Sequence, residues 1–351
     1  MAIIKGTAFS TDKDIDNKQR INLSAFALET INEDMIAFGN PKNTTIINTI
    51  ILNGIRNELA SIHSALEKEQ TKLEATLLDL RIDEREKDEV IRYLVKQKKK
   101  ELLEHAESYE SGESRSIRLQ NEVIDYLVGN IPGCMEGGYY KSRTKYLKAI
   151  IEEYCAKPYS ERELIYFDDK VRKIREAIRE NKKIAAKTAG GKYCIYPYDI
   201  ICDKKTMYNY LVGYSIRLES DDEKRPMSMR ISADNQFEVI RSGSGKLKEA
   251  EKKSLRELIE KRGVQFMVGE EEEIRVVLTD AGIAQYNRQL HLRPVYKAKE
   301  NNEYVFSCTP LQAEVYFSRF GKEALIKEPE YLRERMKTRF SEAYDSYCKK
   351  K

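Results

Sequence analysis

KQRINLSAFALETINEDMIAFGNPKNTTIINTIILNGIRNEL, residues 18–59, reads as one short strand followed by two helices. In Arg20-Ile21-Asn22-Leu23-Ser24 polar and apolar side chains alternate strictly, which predicts a β-strand with Arg20, Asn22 and Ser24 on one face. A helix is expected at once, over Ala25 to Phe38, with Phe26, Leu28, Ile31, Met35 and Phe38 at roughly helical spacing. Gly39-Asn40-Pro41 breaks it. Thr44 or Thr45 is then placed to cap a second helix whose apolar residues are Ile46, Ile47, Ile50, Ile51, Leu52, Ile55 and Leu59. A lone strand cannot satisfy its own backbone groups. The economical partner is the same strand of a second copy, so a homodimer is expected. The plainer alternative is the edge of an ordinary α+β core.

This stretch resembles a ribbon-helix-helix module. The resemblance implies a two-stranded ribbon, built by two chains, that enters a DNA major groove. Arg20, Asn22 and Ser24 would then read bases. Thr44 and Thr45, at the start of the second helix, would grip phosphate.

The rest of the chain bounds the answer. Its 351 residues predict two to three domains. A third of them (34%) are charged, yet the formal net charge is only +4, so charge comes in local blocks and a uniformly cationic packing protein is excluded. No apolar run approaches the roughly 20 residues that cross a bilayer, and the first residues lack the apolar core of a signal peptide. The six cysteines include no Cys-x-x-Cys pair, as expected of reduced thiols in a cytoplasm. There is no tryptophan, but there are 22 tyrosines. Tyrosine packs as an aromatic while offering a hydroxyl to a polar ligand.

Four segments are expected: a head over 1–60, a charged helical region over 61–181, a strand-rich region over 182–250 and an α+β unit over 251–351. The second helix of the head looks continuous past Leu59, because Ser61 to Gln97 contains neither Pro nor Gly; it leads into Lys96-Gln97-Lys98-Lys99-Lys100. That basic run reads as a solvated helix face or as a phosphate-contacting patch. Ser111-Gly112-Glu113-Ser114 reads as a linker. Helices follow near Leu119 to Val128, Lys141 to Tyr154 and Glu161 to Asn181; the turn with Gly133, Gly137 and Gly138 leaves a degenerate winged-helix unit open. Short strands are expected over 182–187, 192–198, 208–214 and 227–231, a pattern that suggests a small antiparallel barrel. Beyond Glu273 the order predicted is strand (274–278), helix (280–289), hairpin (295–299 and 304–308) and two helices (310–320 and 329–347), with Gly321 closing the penultimate helix and Pro329 in the first turn of the last.

In the strand-rich region, Tyr196-Pro197-Tyr198-Asp199-Ile200-Ile201 and Tyr208-Asn209-Tyr210-Leu211 resemble a WYL domain, a family of Sm-like small β-barrels named for a Trp-Tyr-Leu triplet. Tyr210 and Leu211 match, while Asn209 stands at the Trp position. Met229-Arg230-Ile231 matches the family's basic residue before an isoleucine. Phe317-Ser318-Arg319-Phe320-Gly321 and Pro329-Glu330-Tyr331-Leu332 resemble the extension that follows such domains. The fold class expected is therefore α+β, with a ribbon-helix-helix head, a helical middle, a WYL barrel and an α+β extension.

The residues themselves point the same way. Strand alternation puts Tyr208, Tyr210 and Tyr214 on one face and Tyr196 and Tyr198 on another, with Lys187, Lys192, Arg217 and Arg230 nearby. Aromatic rings interleaved with cations suit single-stranded nucleic acid; the alternative is that many of these tyrosines are core. Lys187, Tyr196, Tyr198, Tyr208, Tyr210 and Arg230 are the expected contacts.

No enzymatic constellation is evident. The three histidines are isolated from the cysteines and from one another, so no metal or cofactor is expected. Ser242-Gly243-Ser244-Gly245-Lys246 fails P-loop spacing. Arg56 and His63, seven apart, would share a helix face and faintly match the motif of HEPN ribonucleases. The pairing of the two modules resembles the WYL-domain accessory proteins of type VI-D CRISPR systems. That resemblance implies a cytoplasmic, dimeric, non-enzymatic protein that binds single-stranded RNA and enhances an RNA-guided ribonuclease, with that effector nuclease as a further partner. The competing expectation is a DNA-binding repressor that senses a ligand through its WYL domain.

Overall fold

The computed structural model describes residues 7–9, 17–39, 42–78, 83–110, 112–129, 135–189, 191–204, 206–218, 223–267 and 271–348. Two compact units divide the chain, Met1–Val171 and Arg172–Lys351.

The first unit contains β1 (Lys18–Leu23), α1 (Ala25–Ala37), α2 (Asn43–Arg56), α3 (Ile62–Leu77), α4 (Glu84–Ser108), β2 (Glu113–Arg118), α5 (Asn121–Leu127), α6 (Arg143–Ala156) and α7 (Tyr159–Tyr166). The strand and both helices of the opening stretch are present. Ile21 and Leu23 are fully buried, as the alternation requires. The strand's partner, however, belongs to the same chain. β1 pairs antiparallel with β2, Lys18 opposite Arg118, Arg20 opposite Ser116 and Asn22 opposite Ser114. This corrects two expectations. Residues 112–114 are not linker but the approach to and start of a strand, and no second copy is needed to complete the ribbon. Gly112 is required there, because a Cβ would collide with the Leu23 carbonyl oxygen. The separate 1–60 head is corrected with them, since its strand and helices are completed by residues far along the chain.

The order strand-helix-helix thus occurs twice, as β1-α1-α2 and as β2-α5-α6. The two runs exchange packing: α2 lies against α6, α6 against β1 and α2 against β2. Each strand-to-helix junction is held by a side chain from the other run's second helix. The Ser24 amide and hydroxyl both donate to the buried Glu152 carboxylate of α6, each at 2.7 Å. The Gln120 amide donates to Asn48 Oδ1 of α2 at 3.0 Å, while Asn48 Nδ2 donates to the Arg118 carbonyl at 2.9 Å.

The long helix expected past Leu59 is broken. Glu58 and Ala60 take positive φ (58° and 53°), so α2 ends at Arg56 and α3 starts at Ile62. The α3 start is held by Ser61 and by buried Glu136, which accepts from the Ser61 hydroxyl (2.6 Å) and the Ile62 amide (3.1 Å). Burial raises the Glu136 carboxyl above its ordinary range despite these bonds. Arg56 and His63 therefore sit on different helices and share no face. Arg56 is paired with Glu122 and Asp169, and His63 Nε2 lies 3.3 Å from Glu67.

Helix α8 (Asp168–Arg179) leads to β3 (Lys183–Thr188), β4 (Gly191–Cys202), β5 (Asn209–Arg217), β6 (Arg225–Arg230) and β7 (Gln236–Ile240). All pair antiparallel in the order β6-β5-β4-β3-β7, so the fifth strand returns to the first. Among the described residues no pairing joins β6 to β7. The sheet is open, which corrects the closed barrel. Four of its strands match the expected ones within a few residues; β7 was not anticipated. Helix α9 (Glu249–Arg262) and a 3-10 turn at Val264–Phe266 follow. Leu255 of the helix and Val264 of the turn pack with Val212 and Tyr214 of the sheet.

The chain ends in β8 (Glu272–Leu278), α10 (Asp280–Arg288), β9 (Tyr296–Glu300), β10 (Glu303–Cys308), α11 (Pro310–Phe317), β11 (Ala324–Glu328) and α12 (Glu330–Cys348). The sheet order is β11-β8-β10-β9. An aromatic core of Tyr286, Phe306, Tyr316, Phe317 and Phe320 fills it. Helix α11 ends at Phe317 with Ser318 as its cap, so Gly321, expected to close that helix, does not cap it but sits at φ 55° inside the 3-10 turn Ser318–Glu323 that follows; strand β11 was not foreseen.

Candidate nucleic-acid interface

The β1-β2 ribbon has two unlike faces, because directly opposed residues point the same way. Ile21, Leu23 and Ile117 are buried on the inner face. The outer face carries Lys18, Arg20, Asn22, Ser114, Ser116 and Arg118, all exposed and with no acidic residue among them. Of the expected head contacts, Arg20 and Asn22 are exposed on the outer face. Ser24 is not: it is buried, lies beyond the strand, and accepts from the Ala27 amide as the α1 cap while donating to Glu152. Thr44 and Thr45 are exposed in the first turn of α2, but the cap position is Lys42 and neither threonine caps the helix. Lys18 and the three β2 residues could not be assigned without knowing the pairing.

In the five-stranded sheet the tyrosines do not divide as alternation implied. A bulge between Pro197 and Asp199 shifts the pleat of β4, and Tyr196 lies directly opposite Tyr214. Tyr196, Tyr198 and Tyr210 all pack, half-buried, against the cluster that includes Tyr214, Leu255 and Met267. Tyr196 is moreover flanked by ammonium groups, Lys183 Nζ at 5.1 Å and Lys224 Nζ at 4.1 Å from its ring centre. Lys224 in turn pairs with Glu251 at 2.5 Å. These three expected contacts thus pack against that cluster on one side and are half-exposed. Tyr208 also has an occupied face, since the Arg230 guanidinium lies 3.5 Å from its ring centre. Lys187 is exposed opposite exposed Lys192, and two like charges held face to face favour an anion between them.

What the sheet offers instead is a groove of about 860 Å³ along its β6 edge. Arg217, Arg225, Arg230 and Arg262 line it with Tyr193 and Met229, against a single acidic residue, Glu223. Arg225 is exposed on the edge strand. Arg262 is positioned by Glu271, which accepts its Nη2 at 2.7 Å and also binds Lys261 and the Ser307 hydroxyl. Burial would raise the Glu271 carboxyl, but these hydrogen bonds and the Arg262 charge outweigh it and hold the carboxyl at about 2. Glu271 is therefore a carboxylate throughout the neutral range and keeps Arg262 at the groove. Arg230 and Arg217 were among the cations singled out from sequence. Arg225, Arg262 and Tyr193 were not, because only the fold brings α9 beside β6.

No family model matches the chain, and no curated protein matches it in sequence. Its fold does match a solved structure described as a CRISPR Cas-related protein, at a TM-score of 0.73 and 24% identity over 99% of both chains. A second solved structure, the proteasome accessory factor B/C (PafBC) of Arthrobacter aurescens, aligns with 66% of this chain and 38% of its own at 13% identity. Its TM-score of 0.28 is too low to argue from. The chain thus shares the fold of a CRISPR Cas-related protein along its whole length. No helix among the described residues is long and apolar enough to cross a membrane.

Proposed function

We propose that this chain is a CRISPR-associated regulator of the WYL type, without catalytic activity of its own. It binds single-stranded RNA along the β6 groove and thereby enhances an RNA-guided ribonuclease of the type VI-D kind. The observation that carries the reading is the groove itself: four arginines with one accessible tyrosine, against a single acid. Phosphates need the cations, and an unstacked base needs the ring. The fold shared with a CRISPR Cas-related protein supports the setting. Salt-titrated binding of the full chain to single-stranded RNA, single-stranded DNA and duplex DNA tests it. Tightest binding to single-stranded RNA is expected, and no RNA binding at 0.1 M salt overturns the reading.

One observation favours a second activity. The outer ribbon face is cationic and acid-free, and a two-stranded ribbon fits the wide major groove of B-DNA but not the deep, narrow one of A-form RNA. In this reading the ribbon-helix-helix arrangement is made by one chain from its two strand-helix-helix runs, and the chain acts as a DNA-binding repressor. Arg20→Ala with Arg118→Ala should then weaken duplex binding by about 2–6 kcal/mol, each good base contact being worth about 1–3. Unchanged duplex affinity would leave the ribbon a structural element only.

Homodimerisation no longer follows from β1, but α12 offers other grounds. Its buried residues, Leu332 and Met336, lie in its first half, while Phe340, Tyr344 and Tyr347 are exposed at spacings of four and three. Such a stripe suits a second helix. Light scattering of the full chain at low micromolar concentration should give twice the chain mass; a monomer there removes the dimer from this reading.

A further inference from the structure

The first unit contains another cationic cavity, formed from elements that take no part in the β6 groove. About 600 Å³ in volume, it lies between α4 and the segment that leads into α6. Its apolar surface comes from Leu103, Ala106 and the rings of Tyr139 and Tyr140. Lys96, Lys99 and Lys100 approach from α4, Lys141 from the facing segment and Lys145 from the first turn of α6. Only Glu104 and Glu107 oppose these five lysines. Lys141 and Lys145 share one carboxylate, Glu107, at 2.7 and 3.4 Å, and their hydrogen bonds and charges hold its carboxyl below the ordinary range. Lys99 makes no ion pair among the described residues; its ammonium lies 4.8 Å from the Tyr139 ring centre.

A second observation is independent of charge. Tyr139 is buried, only 8% exposed, and its hydroxyl has no hydrogen-bond partner among the described residues. Tyr140, beside it, is satisfied by the Ala60 carbonyl at 2.7 Å. Burial raises the Tyr139 hydroxyl's pKa, so it stays a neutral donor. With its hydroxyl sealed from solvent, Tyr139 offers the cavity its ring, which the Lys99 ammonium overlies.

We propose that this cavity binds a nucleoside phosphate. An apolar wall with aromatic rings suits a base. An excess of lysine ammoniums suits a phosphate monoester, which carries close to two negative charges at neutral pH. The volume lies within the range of small-ligand pockets. The ligand could be a free nucleotide or the phosphorylated end of an RNA strand, and the chemistry of recognition is the same for both.

Titration calorimetry of the full chain with AMP and with adenosine tests the proposal. AMP should bind at least ten times more tightly than adenosine. The triple variant Lys96→Ala, Lys99→Ala, Lys141→Ala should lose at least tenfold in AMP affinity with an unchanged melting temperature. The groove variant Arg225→Glu should leave AMP binding intact while weakening RNA binding, so failure of this site and failure of the groove reading are told apart. Displacement of AMP by a 5′-phosphorylated RNA oligonucleotide, but not by its 5′-hydroxyl form, identifies the strand end as the ligand; displacement by neither identifies the free nucleotide. Equal binding of AMP and adenosine, no binding of either, or AMP affinity unmoved by the triple variant overturns the proposal.

Discussion

Replacing Arg225 and Arg230 by glutamate should lower single-stranded RNA affinity by two to three orders of magnitude at 0.1 M salt. The two side chains line the groove on one edge strand, with Arg225 exposed and Arg230 stacked on Tyr208 at 3.5 Å. A hydrogen bond to a charged group is worth about 1.5–3 kcal/mol, and two of them lost together amount to roughly a hundredfold or more. The salt dependence should flatten by about 1.4 in log–log slope, since each single-strand phosphate contact contributes about 0.7. Tyr193→Ala should leave a different trace. Loss of one stacked base costs about 1–3 kcal/mol, persists at high salt and does not change the slope. Tyr210→Ala is the useful contrast: packed against the cluster under α9, it should lower the melting temperature rather than act as a stacking contact. Fluorescence anisotropy with a labelled oligonucleotide, over a salt series, distinguishes the three. If RNA affinity and its slope are the same for the double arginine variant as for the unaltered chain, RNA does not lie in the β6 groove.

How much of this was legible in the sequence depended on whether the signal was local. The alternation at Ile21 and Leu23 named the inner face of β1 correctly, because burial of every second residue is a property of the strand itself. Its partner was not legible. β2 reads Glu-Ser-Arg-Ser-Ile-Arg, and only Ile117 is buried. One apolar residue in six gives no alternation, and Ser111-Gly112 ahead of it carries turn chemistry. The strand exists because β1, about 90 residues earlier in the chain, pairs with it and α2 packs against it. The shared packing of the tyrosines was hidden for a different reason. A two-residue period within one strand does not say which face meets the next strand: the register of β4 on β5 sets Tyr196 opposite Tyr214, and the bulge at Pro197–Asp199 then shifts the pairing beyond it. The break between α2 and α3 had no Pro or Gly to announce it: Glu58 and Ala60 adopt positive φ. The Ala60 amide donates there to Glu153 at 2.6 Å, a tertiary contact standing in for turn chemistry. The β6 groove was half legible. Arg217 and Arg230 stood out in the strand-rich region, whereas Arg262 is delivered by α9 and held by Glu271.

Arg162→Ala should be the most damaging single substitution in the first unit outside its apolar core, costing about 3–5 kcal/mol in denaturant unfolding. Asp34, on α1, is 1% exposed. Arg162 of α7 meets it with two hydrogen bonds, Nε to Oδ2 at 2.8 Å and Nη2 to Oδ1 at 3.0 Å. Tyr154 of α6 adds a third, its hydroxyl donating to Oδ2 at 2.8 Å. Three helices are thus tied at one buried carboxylate. Taking away the guanidinium leaves that charge buried with one neutral donor, and desolvation then dominates. The effect is that of stranding a charge, not of losing a favourable bond. The double variant Arg162→Met with Asp34→Asn should therefore be the milder change although it alters more atoms, because no buried charge remains. A double variant as unstable as Arg162→Ala would mean that the geometry of the pair, rather than its charge balance, holds α1, α6 and α7 together. A single variant within about 1 kcal/mol of the unaltered protein would mean that water reaches Asp34.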